Sequence, residues 1–411
     1  MNMTRIIFIV FSVLFTGSVW AQMNSPLQQV QVDVVYLASD YLEGRETGLQ
    51  GEQLAAEYIA WRFAQLGLEP KGENGSWYHE FEFNYNPNPH AQGGEPRTGK
   101  NVLAFLDNGA ENTVVIGAHY DHLGYGEFGS LYTGEPMIHN GADDNASGVA
   151  AMLYLASRLK DNTAAQNNNF LFMAISGEEL GLIGSKKWVA APTIDLGTVN
   201  YMLNLDMVGR LNEEKTLVIN GVGTSPAFTS TLESVKVGGI QIKTTESGVG
   251  SSDHTSFYLQ DIPALHFFSG QHGDYHKPVD DAHTLNYPGI LSIGNFMLAF
   301  MEKLDDQGRL AFAATKNEDQ MGRRAASFKV TLGVMPDYVY DGKGMRVDSV
   351  IEGRPGQVGG MLNGDVILMI GDLEVGDIYD YMEGLSSFKK GQTTTVKVKR
   401  GDEEVSLEVT F

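Results

Sequence analysis

Two histidines and a set of carboxylates sit where short apolar runs end, and that placement limits the chemistry this chain could do. His119-Tyr120-Asp121-His122 follows the run 114–118, Glu178-Glu179 follows 170–176, and Asp206 closes 201–205. Asp143-Asp144-Asn145 precedes a helical pattern that starts near Gly148, and His276 lies in the loop after 264–268. If the runs are strands of an open α/β sheet, five segments bring nitrogen and oxygen donors to the carboxyl ends, where such sheets bind ligands. Any one of these residues alone reads as a solvated loop acid or a satisfied histidine. Five arriving at one edge read as a site. Two histidines with three or four carboxylates suit two borderline cations, and Zn2+ best matches nitrogen and oxygen ligation. One carboxylate must then bridge a pair of ions roughly 3.5–4 Å apart. The adjacent acids 178 and 179 cannot point the same way from one backbone. One is free to ligate, and the other to face the water between the ions as a general base. Asp121, two residues beyond His119, is placed to accept the second ring N–H and fix its tautomer.

The elements that must hold these residues are legible in the hydrophobic pattern. Segments 114–118, 170–176, 201–205, 216–220 and 264–268 are short and almost wholly apolar, as strands buried on both faces are. Helical spacing marks 32–42, 51–65, 148–160, 185–190, 226–234 and 287–304, with Gly67 placed just past the end of the second. Segment 77–85 alternates as a strand, and 86–99 reads as a loop rich in Pro, Asn and Gly. Strand–helix alternation predicts an α/β fold, with a mixed, mainly parallel sheet sandwiched by helices. Asn145 and Ser147 are expected to order their loop and cap the following helix. Gly124 to Gly129 matches a dinucleotide fingerprint, but Thr133, Gly134 and Pro136 allow no helix after it. It reads as a loop at the mouth of the site. No Gly-x-Ser-x-Gly elbow occurs, which argues against an α/β-hydrolase.

Composition narrows the classes further. The 411 residues include 51 acidic and 29 basic side chains, for a formal net charge of −22. Phosphates would repel such a chain, so nucleic acid and anionic membranes are excluded as general partners. Cysteine is absent, which removes disulfides, a thiol nucleophile and thiolate ligation. Residues 1–21 have the form of a cleaved signal peptide: Arg5, an apolar stretch over 6–15, then Val19 and Ala21 before the cut. Periplasmic or extracellular residence without a stable membrane anchor is the expectation. Segments 22–304, 305–326 and 327–411 are expected to be a catalytic domain, a linker and a small β-rich domain.

The stretches that carry these donors resemble those of the M28 peptidases, the dizinc aminopeptidases. They are Gly117-Ala118-His119-Tyr120-Asp121-His122, Gly141-Ala142-Asp143-Asp144-Asn145-Ala146-Ser147-Gly148, Ser176-Gly177-Glu178-Glu179-Leu180-Gly181, Asn204-Leu205-Asp206-Met207, Ser252-Asp253-His254 and Tyr275-His276. The resemblance spans roughly residues 32–304. It implies two Zn2+ ions, with His119 and Asp206 on one, Glu179 and His276 on the other, and Asp143 bridging. It places Glu178 as the general base and Asp121 behind His119, with His254 and Tyr275 lining the site. It also implies a cis peptide after the bridging acid, at Asp143-Asp144. The activity implied is removal of N-terminal residues from peptides. A carboxypeptidase or dipeptidase of the same family and a glutaminyl cyclase-like enzyme with one zinc are the alternatives.

The C-terminal stretch resembles a PDZ domain of the bacterial protease type. Leu332-Gly333-Val334-Met335, Gly353-Arg354-Pro355-Gly356, Leu362-Asn363-Gly364-Asp365-Val366-Ile367 and Val396-Lys397-Val398-Lys399-Arg400 carry the likeness. It implies a peptide or protein ligand captured by backbone N–H groups of the first loop. Pro336, directly after that loop, removes one donor.

Overall fold

The computed structural model describes residues 25–86, 94–315, 330–336, 340, 342–350, 353–376, 380–381, 384–385, 387–401 and 403–411. The expected signal peptide, 1–21, lies outside the described residues. The chain divides into two compact units, with the boundary after Ala314.

The first unit is built on a mixed sheet. Its strands are β1 (Glu69–Pro70), β2 (Tyr78–Tyr85), β3 (Glu95–Leu106), β4 (Asn112–His119), β5 (Asn168–Ile175), β6 (Val199–Leu205), β7 (Thr216–Asn220), β8 (Gln241–Thr245) and β9 (Ala264–Phe268). The order is β1-β3-β5-β4-β6-β9-β7-β8, with β2 on β3. β5, β4, β6 and β9 run parallel, and so do β7 and β8. β3 pairs antiparallel to β5, and β9 to β7. The side chains of the central strands alternate between two cores. Val114 and Ile116 enter one with Ala118, Leu203, Leu205 and Phe267. Val115 and Met202 enter the other with Trp188, Phe257 and Tyr258. Because both faces are covered, the strands read largely as apolar runs, and the site residues gather where their carboxyl ends run out.

The helices are α1 (Pro26–Leu37), α2 (Gln50–Gln65), α3 (Gly148–Leu159), α4 (Ile183–Ala190), α5 (Pro226–Ser234), α6 (His254–Tyr258) and α7 (Tyr287–Leu304). α1 starts earlier than the periodicity over 32–42 indicates. Ser25 and Gln28 form a capping box, and Pro26 occupies the first turn. Residues 95–99, expected in a loop, are instead the first residues of β3, held by full register against β2. Gly and Pro in the sequence hid a strand that its neighbour dictates.

The first ten residues of the expected linker belong to the first unit. Asp305 accepts hydrogen bonds from Asn167 N and Asn168 Nδ2 at 2.9 and 3.0 Å. Leu310 N donates to Asn200 Oδ1 at 2.7 Å, and Phe312 packs on the second core. Among the described residues no helix is long and apolar enough to cross a membrane.

The second unit is a small antiparallel sheet of β10 (Val334–Pro336), β11 (Met345–Val350), β12 (Val366–Ile370), β13 (Leu373–Glu374), β14 (Thr393–Arg400) and β15 (Glu403–Thr410). Leu332, Val347, Ile367, Val396, Val398 and Val409 form its core. Arg400 closes a two-pronged ion pair on buried Asp365, at 2.8 and 2.7 Å. In the first loop the Gly333 N–H is already donated to Thr331 Oγ1 at 3.0 Å.

Candidate metal centre

The donors reach the site from the ends of strands, from the turn before α3 and, for His276, from the turn after β9, and the backbone decides which atom is offered. His119 closes β4. Its Nδ1 lies 3.3 Å from the Asp121 carbonyl. A carbonyl can only accept, so Nδ1 carries the proton and Nε2 presents a lone pair. That Nε2 lies 3.1 Å from Asp144 Oδ1 and 3.3 Å from Asp206 Oδ1. His276 is set the same way: Nδ1 donates to the Gly129 carbonyl at 2.9 Å. Its Nε2 lies 3.2 Å from Asp144 Oδ2 and 3.1 Å from Glu179 Oε2, without a hydrogen-bond partner among the described residues.

These are two pockets of one pattern. Each holds an imidazole lone pair, one oxygen of Asp144 and one further carboxylate. Lone pairs facing lone pairs repel unless a cation lies between them. Burial disfavours charged histidine, yet Asp206, Asp121 and Asp144 lift the His119 pKa well above its ordinary value. Glu179 and Asp144 do the same to His276. The site demands positive charge. The donor spacings also fit: ligands about 2.0–2.1 Å from zinc at tetrahedral angles stand about 3.3 Å apart. The residues present therefore fit zinc ligation, with Asp144 facing both pockets.

Asp143 does not bridge. Its Oδ1 accepts from Gly209 N at 2.6 Å and Ser147 Oγ at 3.0 Å, and its Oδ2 faces His272 Nε2 at 3.1 Å. Adjacent side chains leave the backbone on different sides here, so only the second acid reaches the pockets. The cis peptide likewise falls at Asp144–Asn145, not at Asp143-Asp144. Buried Asp280 anchors the turn by accepting the Asp143 and Asp144 N–H groups at 3.0 and 3.1 Å. Asn145 caps α3 by accepting from Gly148 N at 3.0 Å. Ser147 has no capping bond and instead ties Asp143 to Val208.

Asp121 has a role beyond tautomer control. Its carboxylate stands 3.7 Å from His119 Nδ1 and accepts the backbone N–H groups of Glu178 and Glu179 at 3.1 and 3.3 Å. Both acids are thereby positioned at the end of β5. Burial foremost raises the Glu178 pKa well above the ordinary value, with the Glu179, Asp206 and Asp253 carboxylates adding to it and His119 opposing. Asp206 is steadied by Ser252 Oγ, which donates to Oδ2 at 2.7 Å. Tyr275 stacks on the His276 ring with centroids 3.8 Å apart. His254 is fully buried and stacks on His266 at 4.9 Å, behind the site rather than lining it.

The sequence reading missed several contributors. His122, two residues after Asp121, lies 2.8 Å through Nδ1 from Glu179 Oε1 and holds that ligand. The Gly124–Gly129 loop supplies the carbonyl that sets the His276 tautomer. Gly44 is required where the backbone passes close by, since a Cβ there would stand 2.6 Å from the Gly124 and His139 carbonyls. Arg45 is buried beneath the cluster. It donates to the carbonyls of Tyr120 and Asn140 at 2.6 Å each, Gly141 at 3.0 Å, and Leu37. It thereby joins the His119 segment to the Asp144 turn. Arg45→Met leaves four buried acceptors without their donor and is expected to cost about 3–5 kcal/mol, read as the urea unfolding midpoint of metal-free protein.

Comparison with known proteins adds to this geometry. Residues 101–301 match the model of peptidase family M28, and residues 313–411 that of the PDZ domain. A probable leucine aminopeptidase of Trichophyton verrucosum is 30% identical over 217 residues, covering 50% of this chain and 57% of that protein. Aminopeptidase YwaD of Bacillus subtilis is 28% identical over 199 residues, 45% of this chain and 40% of that protein. The chain thus spans about half the length of the curated relatives it matches. A zinc aminopeptidase structure from Bacillus subtilis superposes with a TM-score of 0.55 at 17% identity, covering 70% of this chain and 98% of that one. A Bacteroides thetaiotaomicron glutaminyl cyclase bound to N-acetylhistamine superposes equally well, at 0.55 and 15% identity over 67% of this chain and 97% of that one. These likenesses establish the fold.

Proposed function

The chain carries a peptidase family M28 domain followed by a PDZ domain, and on that premise we propose that it is an exported dizinc aminopeptidase. The observation that carries the reading is the sharing of Asp144: its two oxygens face two histidine lone pairs, each completed by its own carboxylate. A single-zinc cyclase would need only one such pocket. His119, Asp144 and Asp206 would hold one ion, and Asp144, Glu179 and His276 the other. When bound, zinc supplies Lewis acidity that polarises a carbonyl and acidifies water.

The protein's own groups do the rest. Glu178, fixed through its backbone by Asp121, takes the proton of the attacking water and delivers it to the leaving amine. His122 keeps Glu179 from swinging toward the base. Asp280 and Arg45 hold the Asp144 turn against the end of β4, so that the donors need not reorganise as the bond breaks. Acidic groups around the site favour a substrate with a free cationic N-terminus. The PDZ unit is read as a holder of peptide or protein ligands, although Pro336 and the engaged Gly333 N–H leave its loop fewer free donors.

A panel of aminoacyl anilides tests the end attacked. Free-amine substrates are expected to be hydrolysed at least 100-fold faster than their N-acetylated forms, the size of effect an oriented charged group supplies. Preference for N-blocked peptides with a free carboxyl terminus would make the enzyme a carboxypeptidase. Ring closure of N-terminal glutamine without hydrolysis would make it a cyclase.

A further inference from the structure

A row of three polar side chains crosses the largely apolar centre of the sheet. Asn204 of β6, His266 of β9 and Asn220 of β7 share one register, which Gly117 of β4 extends without a side chain. One step back on that face, Met202 and Ala264 belong to the core with Phe257 and Tyr258. His266 thus stands where an apolar side chain would pack. Its ring is fixed on both faces, by His254 at 4.9 Å and Phe268 at 5.8 Å. Its tautomer is fixed too. Asn220 Nδ2 donates to His266 Nδ1 at 3.2 Å, and the Asn220 amide is oriented by Thr245, whose hydroxyl donates to Oδ1 at 2.8 Å. An Nδ1 that accepts leaves the proton on Nε2.

Among the described residues that Nε2–H has no hydrogen-bond partner, though only 9% of the side chain is exposed. It lies 4.0 Å from Asp206 Oδ2, too far for a bond, and Oδ2 already takes the Ser252 hydroxyl. An unpaired buried donor held this firmly forfeits stability without structural return. It sits beside Asp206, one of the two acids of the His119 pocket. A substrate oxygen bound at that pocket is the acceptor this donor lacks.

We propose that His266 is a catalytic residue whose Nε2–H donates to the scissile carbonyl oxygen as negative charge develops there. The donor is worth most in the transition state because its direction is set before substrate arrives. The proposal rests on the peptidase reading. It differs from a positioning role, in which His266 would only steady Asp206 through a water.

The test uses the zinc-loaded full chain and a free-amine aminoacyl anilide. His266→Phe keeps the stacking and removes the donor. It is expected to lower kcat about 100-fold, with KM shifted less than about 3-fold. Affinity for a phosphonic-acid mimic of the tetrahedral intermediate should fall by about the same factor. Zinc content should match the wild type, and His266→Gln, which returns an N–H, should recover part of the rate. Nitrogen NMR of the wild-type imidazole should show the Nε2–H tautomer, a readout that needs no folded variant. A kcat within about 3-fold of wild type, a rate loss that tracks zinc loss, or an Nδ1–H tautomer would each overturn the proposal. A zinc-loaded wild type without peptidase activity would instead sink the peptidase reading, and this proposal with it.

Discussion

Asp144→Asn is expected to reduce the zinc content from two ions to at most one per chain, while Asp143→Asn leaves it at two. The two acids are neighbours, carry the same charge and lie in one turn, so composition cannot separate them. Geometry does. Asp144 offers Oδ1 to the His119 pocket and Oδ2 to the His276 pocket. An amide in its place has one acceptor oxygen, and its NH2 would repel a cation. One pocket must lose a ligand, and both lose a shared negative charge. Asp143 spends its carboxylate on Gly209 N, Ser147 and His272. Its amide variant should lose about 1–3 kcal/mol of stability through a mispaired buried group. Elemental analysis and an unfolding curve on both variants check the pair. Equal zinc contents in the two variants would reassign the bridge.

Glu178→Gln should lower kcat by at least about 1,000-fold, within the range for loss of a positioned general base, and keep both ions and the fold. The isosteric amide preserves the backbone N–H bond to Asp121 and the side-chain volume. It cannot accept a proton from water. Glu179→Gln differs at the same spacing, because that side chain faces the lone pair of His276 and the ring of His122. Losing it should cost metal as well as rate. The contrast separates base from ligand between two adjacent glutamates. Turnover near wild type in Glu178→Gln would move the base role elsewhere.

The strands that deliver the site were readable because burial on both faces makes them plain apolar runs. β7 and β9 coincide with the expected 216–220 and 264–268. β3 was hidden by Gly99 and Pro96, which lie in its paired stretch with β2. Its register comes from a neighbour rather than from local preference. The donors were legible as residue types at strand ends, but their directions were not. Adjacent acids diverge at 143 and 144 as they do at 178 and 179, so the sequence alone leaves the bridge open between Asp143 and Asp144. Arg45 and Asp280 carry no signal in the sequence, and His266 is one of several histidines there without an assigned role. Most of their partners are carbonyls and amides far away in the chain, and no spacing in the sequence announces such a contact. His122 was visible within His119-Tyr120-Asp121-His122, yet only the approach of β5 reveals that it holds Glu179.

The organisation beyond the sheet follows the same division. The second unit was evident from short strands between glycine-containing turns. The first ten residues expected as a linker instead complete the first unit, because Asp305 and Leu310 find amide partners on β5 and β6.

The central claim is that two cation pockets share one carboxylate. The most direct measurement is the zinc-to-protein ratio of the wild type, by elemental analysis after gel filtration in buffer with trace zinc. Two ions per chain is the expected result, with the second leaving before the first on graded chelation. A ratio that saturates at one, with full peptidase activity, would contradict the shared bridge and the mechanism built on it.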